Sequence, residues 1–126
     1  MISKEIFESV EKQKQLERFV KWSCNRLGIN DIPKIRYGDS LEEVEEKRTF
    51  GSTHSNGYVW VYVGDRNMAD IMRTLCHELV HHRQFEVKLA SDDMNDETKQ
   101  SIEDVANAVA GRLMREYGKQ HVEIYS

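Results

Sequence analysis

Cysteine, proline and long apolar runs are scarce in this sequence, and each scarcity removes a class of protein. Only Cys24 and Cys76 occur among 126 residues, too few for the disulfide frameworks that hold small secreted scaffolds together. The N-terminus carries no apolar leader-like stretch, so a reducing, cytosolic setting is expected. No run approaches the roughly 20 apolar residues that a membrane-spanning helix needs. Excess positive charge is also missing: 18 Lys and Arg against 22 Asp and Glu leave a net charge of −4, which gives no bulk attraction for nucleic acid. The one proline, Pro33, stands shortly after Gly28 and reads as the end of a turn. At this length the chain is expected to form one domain, residues 1–126, that buries a modest core without covalent staples.

What the sequence does contain is the pentad His77-Glu78-Leu79-Val80-His81 inside a segment with helical spacing. Met68, Ile71, Met72, Leu75, Cys76, Leu79 and Val80 recur at steps of three and four, and Asn67 is suited to cap the helix with Asp70 in its first turn. Four residues advance a helix by about 400°, so His77 and His81 lie one above the other, roughly 6 Å apart along the axis, and their imidazoles can converge on one metal ion. Glu78 is rotated by about 100° and stands beside that ion as a general base rather than on it. Zinc held by two histidines and a carboxylate keeps a position for water and lowers its pKa from roughly 15.7 toward about 7. Cys76 falls on the apolar stripe and is read as core. His82, facing away from His77, and His54, beside a turn, are read as ordinary surface residues.

A third ligand must come from elsewhere. Gln84 and Val87 occupy the positions where a metzincin carries glycine and histidine, which excludes that arrangement. Glu103, 22 positions after His81, is the candidate. It opens a second helical segment, Ser101 to Met114, whose apolar line of Ile102, Val105, Ala106, Val109, Ala110 and Leu113 includes small residues that permit close helix approach. Glu103 and Asn107 share a face, so one can ligate while the other hydrogen-bonds a ligand imidazole. Two other readings stay open: Glu103 as part of an acidic first turn, and Asp104 as the ligand from about 100° around the helix.

The two segments resemble the paired helices of thermolysin-like zinc metallopeptidases, the gluzincins. That resemblance implies His77 and His81 as ligands, Glu78 as the catalytic glutamate and Glu103 as the third ligand. Asn107 stands where the family has an acidic partner for a ligand histidine, and Gly111 where thermolysin has a glycine. The run Ala106 to Ala110 also resembles small regulatory metallopeptidases related to repressor-cleaving proteins. His77 to Gln84 with Glu103 to Tyr117 is similar to small zincins of tailed bacteriophages, which implies a host cytoplasm and a host- or assembly-directed substrate.

The rest of the chain supplies a scaffold. A helix is expected from about Ser3, a candidate cap, to Leu27, ending at Gly28. A strand at Lys34 to Tyr37 is followed by the acidic stretch Leu41 to Lys47, read as solvated loop or short polar helix. Asn56-Gly57 signals a hairpin before the strand Tyr58 to Val63, whose valines are expected on one face and whose aromatics on the other. Trp60 and its neighbouring tyrosines are candidate pocket walls, with packing against the N-terminal helix as the competing reading. The fold class expected is α+β and zincin-like: N-terminal helix, small antiparallel sheet, metal-binding helix, glutamate helix. Between the helices, Ser91 to Glu97 reads as a flexible linker, because no EF-hand register places glycine at its sixth position. Tyr117-Gly118 reads as a helix stop, followed by a tail able to return as a strand. Tyr117, His121 and Tyr125 are candidate donors to an oxyanion, and Arg48, Arg73 and Arg83 candidate partners for a substrate carboxylate.

The functional expectation is a Zn2+-dependent peptidase acting on a peptide or protein substrate, bound along an exposed strand edge, with no nucleic-acid or membrane partner. The competing readings are a zinc hydrolase acting on another amide or ester, and a zinc-stabilised interaction module without turnover.

Overall fold

Residues 2–125 are described in a computed structural model, with side chains described from residue 10 onward; the expected Ser3 cap lies outside the described side chains. The elements in order are α1 (Ile2–Leu27), β1 (Lys34–Gly38), α2 (Leu41–Lys47), β2 (Gly51–His54), β3 (Tyr58–Tyr62), α3 (Met68–Glu86), α4 (Asp96–Gln120) and a 3₁₀ turn at Val122–Tyr125. The architecture is α+β, as the alternation of helical and strand periods implies. None of the described helices is long and apolar enough to cross a membrane.

The sheet corrects one expectation: it is mixed, not antiparallel. The strand order is β1-β3-β2, with β2 antiparallel and β1 parallel to β3. The chain runs up, down and up again, so a simple meander would be antiparallel throughout; inserting the third strand between the first two makes it parallel to β1. Composition explains the insertion. Val59, Trp60, Val61 and Tyr62 are buried on both faces of β3, whereas β1 and β2 mix small, polar and charged residues suited to edges.

The two faces of β3 separate as their alternation predicts. Val59 and Val61 join the main core with Ile71, Met72, Leu75, Cys76 and Leu79 of α3, Leu16, Phe19 and Val20 of α1, and Ala110, Leu113 and Met114 of α4. Trp60 lies on the other face, fully buried, with Lys47 at the end of α2 5.3 Å from its ring centroid. Gly38 allows this, because a Cβ there would stand 2.6 Å from Trp60 Nε1. The charged stretch Leu41–Lys47 is the short polar helix, with no buried residue.

Three connections fix where α3 sits. Gly28 at φ +71 ends α1, with Ile29 N–H returning to Cys24 O at 3.0 Å, as a left-handed glycine stop does. The following loop is then tied to α3: Glu86 accepts the N–H groups of Asn30 and Asp31 at 3.2 and 2.9 Å, and His82 Nε2 donates to Asp31 O at 2.7 Å. His82 is therefore buried rather than on the surface, because it continues the Leu75–Leu79 face beneath this loop. Asn67 caps α3 by accepting Asp70 N–H at 2.9 Å.

Helix α4 is longer than expected at both ends. Asn95 caps it by accepting Thr98 N–H at 2.8 Å, so Asp96 and Glu97 belong to its first turn rather than to a linker. Gly118 does not stop it. A Cβ there would lie within 2.9 Å of Tyr125 Cε2, so this glycine makes room for the tail to pack on the helix. The tail closes as a 3₁₀ turn that buries Ile124, not as a strand.

Candidate metal centre

α3 buries its apolar stripe and leaves His77 and His81 on an edge that faces α4. Their side chains are 18% and 12% exposed, and the rings meet nearly edge to face, centroids 4.6 Å apart. Ala106 and Ala110 are buried at the α3–α4 contact, and this small-residue approach brings in Glu103 from one turn earlier. The separations are 3.0 Å between the two Nε2 atoms, 3.1 Å from His77 Nε2 to Glu103 Oε1 and 2.5 Å from His81 Nε2 to Glu103 Oε2. Asp104, the rival on the same helix, accepts from Gln100 instead, at 2.9 Å.

Ligand atoms bound tetrahedrally at about 2.0 to 2.1 Å stand roughly 3.3 Å from one another, so the two separations near 3 Å match the edges of such a shell. Two ring nitrogens that face each other with lone pairs repel unless a cation or proton lies between them. The donor set, two imidazoles and one carboxylate, is one that zinc and other transition metals take, unlike the all-oxygen calcium or magnesium sites. His77, His81 and Glu103 thus form a cluster suited to hold a metal ion.

The histidine partner expected at Asn107 is elsewhere. Asn107 is exposed, whereas Gln84, only 4% exposed, accepts from His81 Nδ1–H at 2.8 Å through Oε1. Its Nε2 donates to Ile102 O at 3.2 Å, so the neighbour of Glu103 on α4 fixes which end of the amide faces His81. The ring is thereby held with its Nε2 lone pair toward Glu103 and His77. Gln84→Ala should weaken zinc binding by about 10- to 100-fold in calorimetric titration, with Asn107→Ala unchanged. Equal affinities for wild type and Gln84→Ala would show that the amide has no such role.

Glu78 is 6% exposed and is gripped from β2: Thr53 Oγ1 lies 2.7 Å from its Oε1 and 2.9 Å from its backbone oxygen. Burial pushes the Glu78 carboxyl above the usual carboxylate range, while the Thr53 hydrogen bond and the neighbouring imidazoles pull it back. Gly51 is the second point of approach. A Cβ there would stand 2.9 Å from Glu78 Oε2 and 2.7 Å from Thr74 Cγ2, so only glycine lets the strand lie this close. Gly51→Ala should displace Glu78, lowering any hydrolysis at least about tenfold while zinc affinity stays the same, since the atoms nearest the added methyl belong to Thr74 and Glu78 and not to a candidate ligand. Unchanged turnover in that variant would contradict the placement.

Several expected site residues are absent from the cleft, an open hollow of about 390 Å³ over the cluster. Trp60 is core, and Tyr58 donates no wall either, its hydroxyl accepting from Arg36 Nε at 2.8 Å. Tyr117 packs between Phe19 and Trp22 with His121 stacked on it, so neither stands at the cleft as an oxyanion donor. Tyr125 packs against Gly118 and does not line the cleft either. Arg73 and Arg83 face Asp70 and Glu86, and Arg48 ends α2 in the left-handed region at φ 56. Lys99, which sequence reasoning passed over, is the cation that does line the cleft. Cys24 and Cys76 are unbridged and buried, their thiols pushed up to about 11 and about 12 by burial, which leaves both inert as ligands.

No protein-family model, curated protein or solved structure matches this chain.

Proposed function

We propose that this chain is a zinc-dependent peptidase, one domain over residues 1–126, with His77, His81 and Glu103 as metal ligands and Glu78 as general base. The observation that carries the reading is the convergence of three ligand atoms of zinc-binding type beside a buried carboxylate that itself ligates nothing. A zinc ion held there supplies Lewis acidity toward water and the scissile carbonyl.

The remaining work falls to the chain's own atoms. Glu78 Oε takes the proton of the attacking water and delivers it to the leaving nitrogen. Thr53 has one hydroxyl proton for two acceptors: it donates to the Glu78 carboxylate before the transfer and can turn to Glu78 O once the carboxyl carries its own proton. β2 has β3 on one side only, and its Gly51 and Thr53 border the cleft, so an extended peptide can add along its free edge. The resemblance to gluzincins and phage zincins rests on these motifs and supports the same reading. A cytoplasmic setting fits the two unbridged cysteines.

The test is incubation of wild type and Glu78→Gln with a diverse peptide library, with and without chelator, read by mass spectrometry. New termini that require both zinc and Glu78 are expected. Zinc-dependent folding without any cleavage would favour the interaction module instead.

A further inference from the structure

The cleft has one charge left over. Glu103 is engaged by the two histidines and Glu78 by Thr53, so both carboxylates that line the hollow have partners. Lys99 lines the same hollow and is exposed, and it takes part in none of the ion pairs among the described residues. It stands four residues before Glu103 on α4, one turn away, about 6 Å along the axis. The hollow that Lys99 shares with the cluster also has apolar lining: Phe85 from the end of α3, Ala90 and Met94 from the connection, and Ile102 from α4. A hollow of about 390 Å³ can take one apolar side chain and the group next to it.

We propose that Lys99 is a specificity-determining residue that selects substrates bearing a carboxylate next to an apolar residue at the cleavage point. This deepens the peptidase reading and rests on it. The chain as a whole is acidic, so a negatively charged substrate gains nothing at long range and the selection must come from this local cation. The position of Lys99 also fits the reach required, since one extended residue spans about 3.3 to 3.6 Å and the lysine stem is flexible. The carboxylate can be an acidic side chain or a free chain terminus, and both present the same group to an ammonium.

The experiment uses peptides of one apolar sequence carrying Glu, Gln or Lys beside the apolar residue, each with a free or an amidated C-terminus. Cleavage is followed as kcat/KM with the zinc-loaded wild type, and binding by fluorescence anisotropy with Glu78→Gln. A preference of about fivefold for Glu over Gln is expected in both assays, and Lys99→Glu should reverse it in favour of Lys. A reversal of charge preference cannot come from misfolding. If the free terminus rather than Glu carries the preference, and Lys99→Glu removes it, the carboxylate is that of the chain end and the proposal stands. No charge preference, or one that Lys99→Glu leaves intact, overturns it. Absence of cleavage with a Lys99-dependent binding preference retained would defeat the peptidase reading alone.

Discussion

Glu78→Gln is expected to keep zinc and lose hydrolysis by about 10²- to 10⁴-fold, the range that a positioned general base contributes. The substitution removes a proton acceptor without removing a ligand, since Glu78 lies beside the His77–His81–Glu103 cluster and is held by Thr53. A glutamine fits the same space and still accepts from the Thr53 hydroxyl, so neither the helix nor the strand contact need move. Calorimetric zinc titration and initial rates on any peptide the wild type cleaves separate the two effects. Retained turnover with retained zinc would remove Glu78 from the mechanism.

Glu103→Ala is expected to have the largest effect on metal binding, on the order of a thousandfold or more, beyond the 10- to 100-fold typical of an outer hydrogen-bond partner. Two histidines four residues apart on one helix remain, but the site loses its one negatively charged ligand and its tie to α4. The fold should survive. Glu103 is 47% exposed, and the α3–α4 contact is made by Ala106, Ala110, Leu113 and Met114, which the substitution does not touch. The readouts are zinc affinity and circular dichroism without metal; full affinity in this variant would exclude Glu103 as a ligand.

The sequence revealed the parts of this site that depend on helical spacing. His77, Glu78 and His81 are positioned by a single helix whose apolar stripe is unmistakable, and small residues marked α4 as able to come near. Contacts that depend on how a strand meets a helix were harder to read. Gly51, the first residue of β2, and Thr53 carry no local signal of their role, since their partner Glu78 lies more than twenty positions away. Gln84 follows His81 by three residues on α3, yet its role depends on a carbonyl of α4, which no periodicity reports. The mixed sheet escaped for a related reason: hairpin chemistry fixes the pairing of β2 with β3, but the insertion of β3 beside β1 is decided by burial on both faces. Gly118 looked like a helix stop because glycine serves two purposes, and local sequence cannot distinguish a left-handed cap from room for a tyrosine ring.

The most direct test of the central claim is X-ray absorption at the zinc edge on protein loaded with one equivalent of zinc. The account predicts imidazole and oxygen scatterers only, at about 2.0 to 2.2 Å, with two histidine rings per zinc. A sulfur shell near 2.3 Å, a zinc ion with fewer than two imidazoles, or no stoichiometric uptake at all would contradict it.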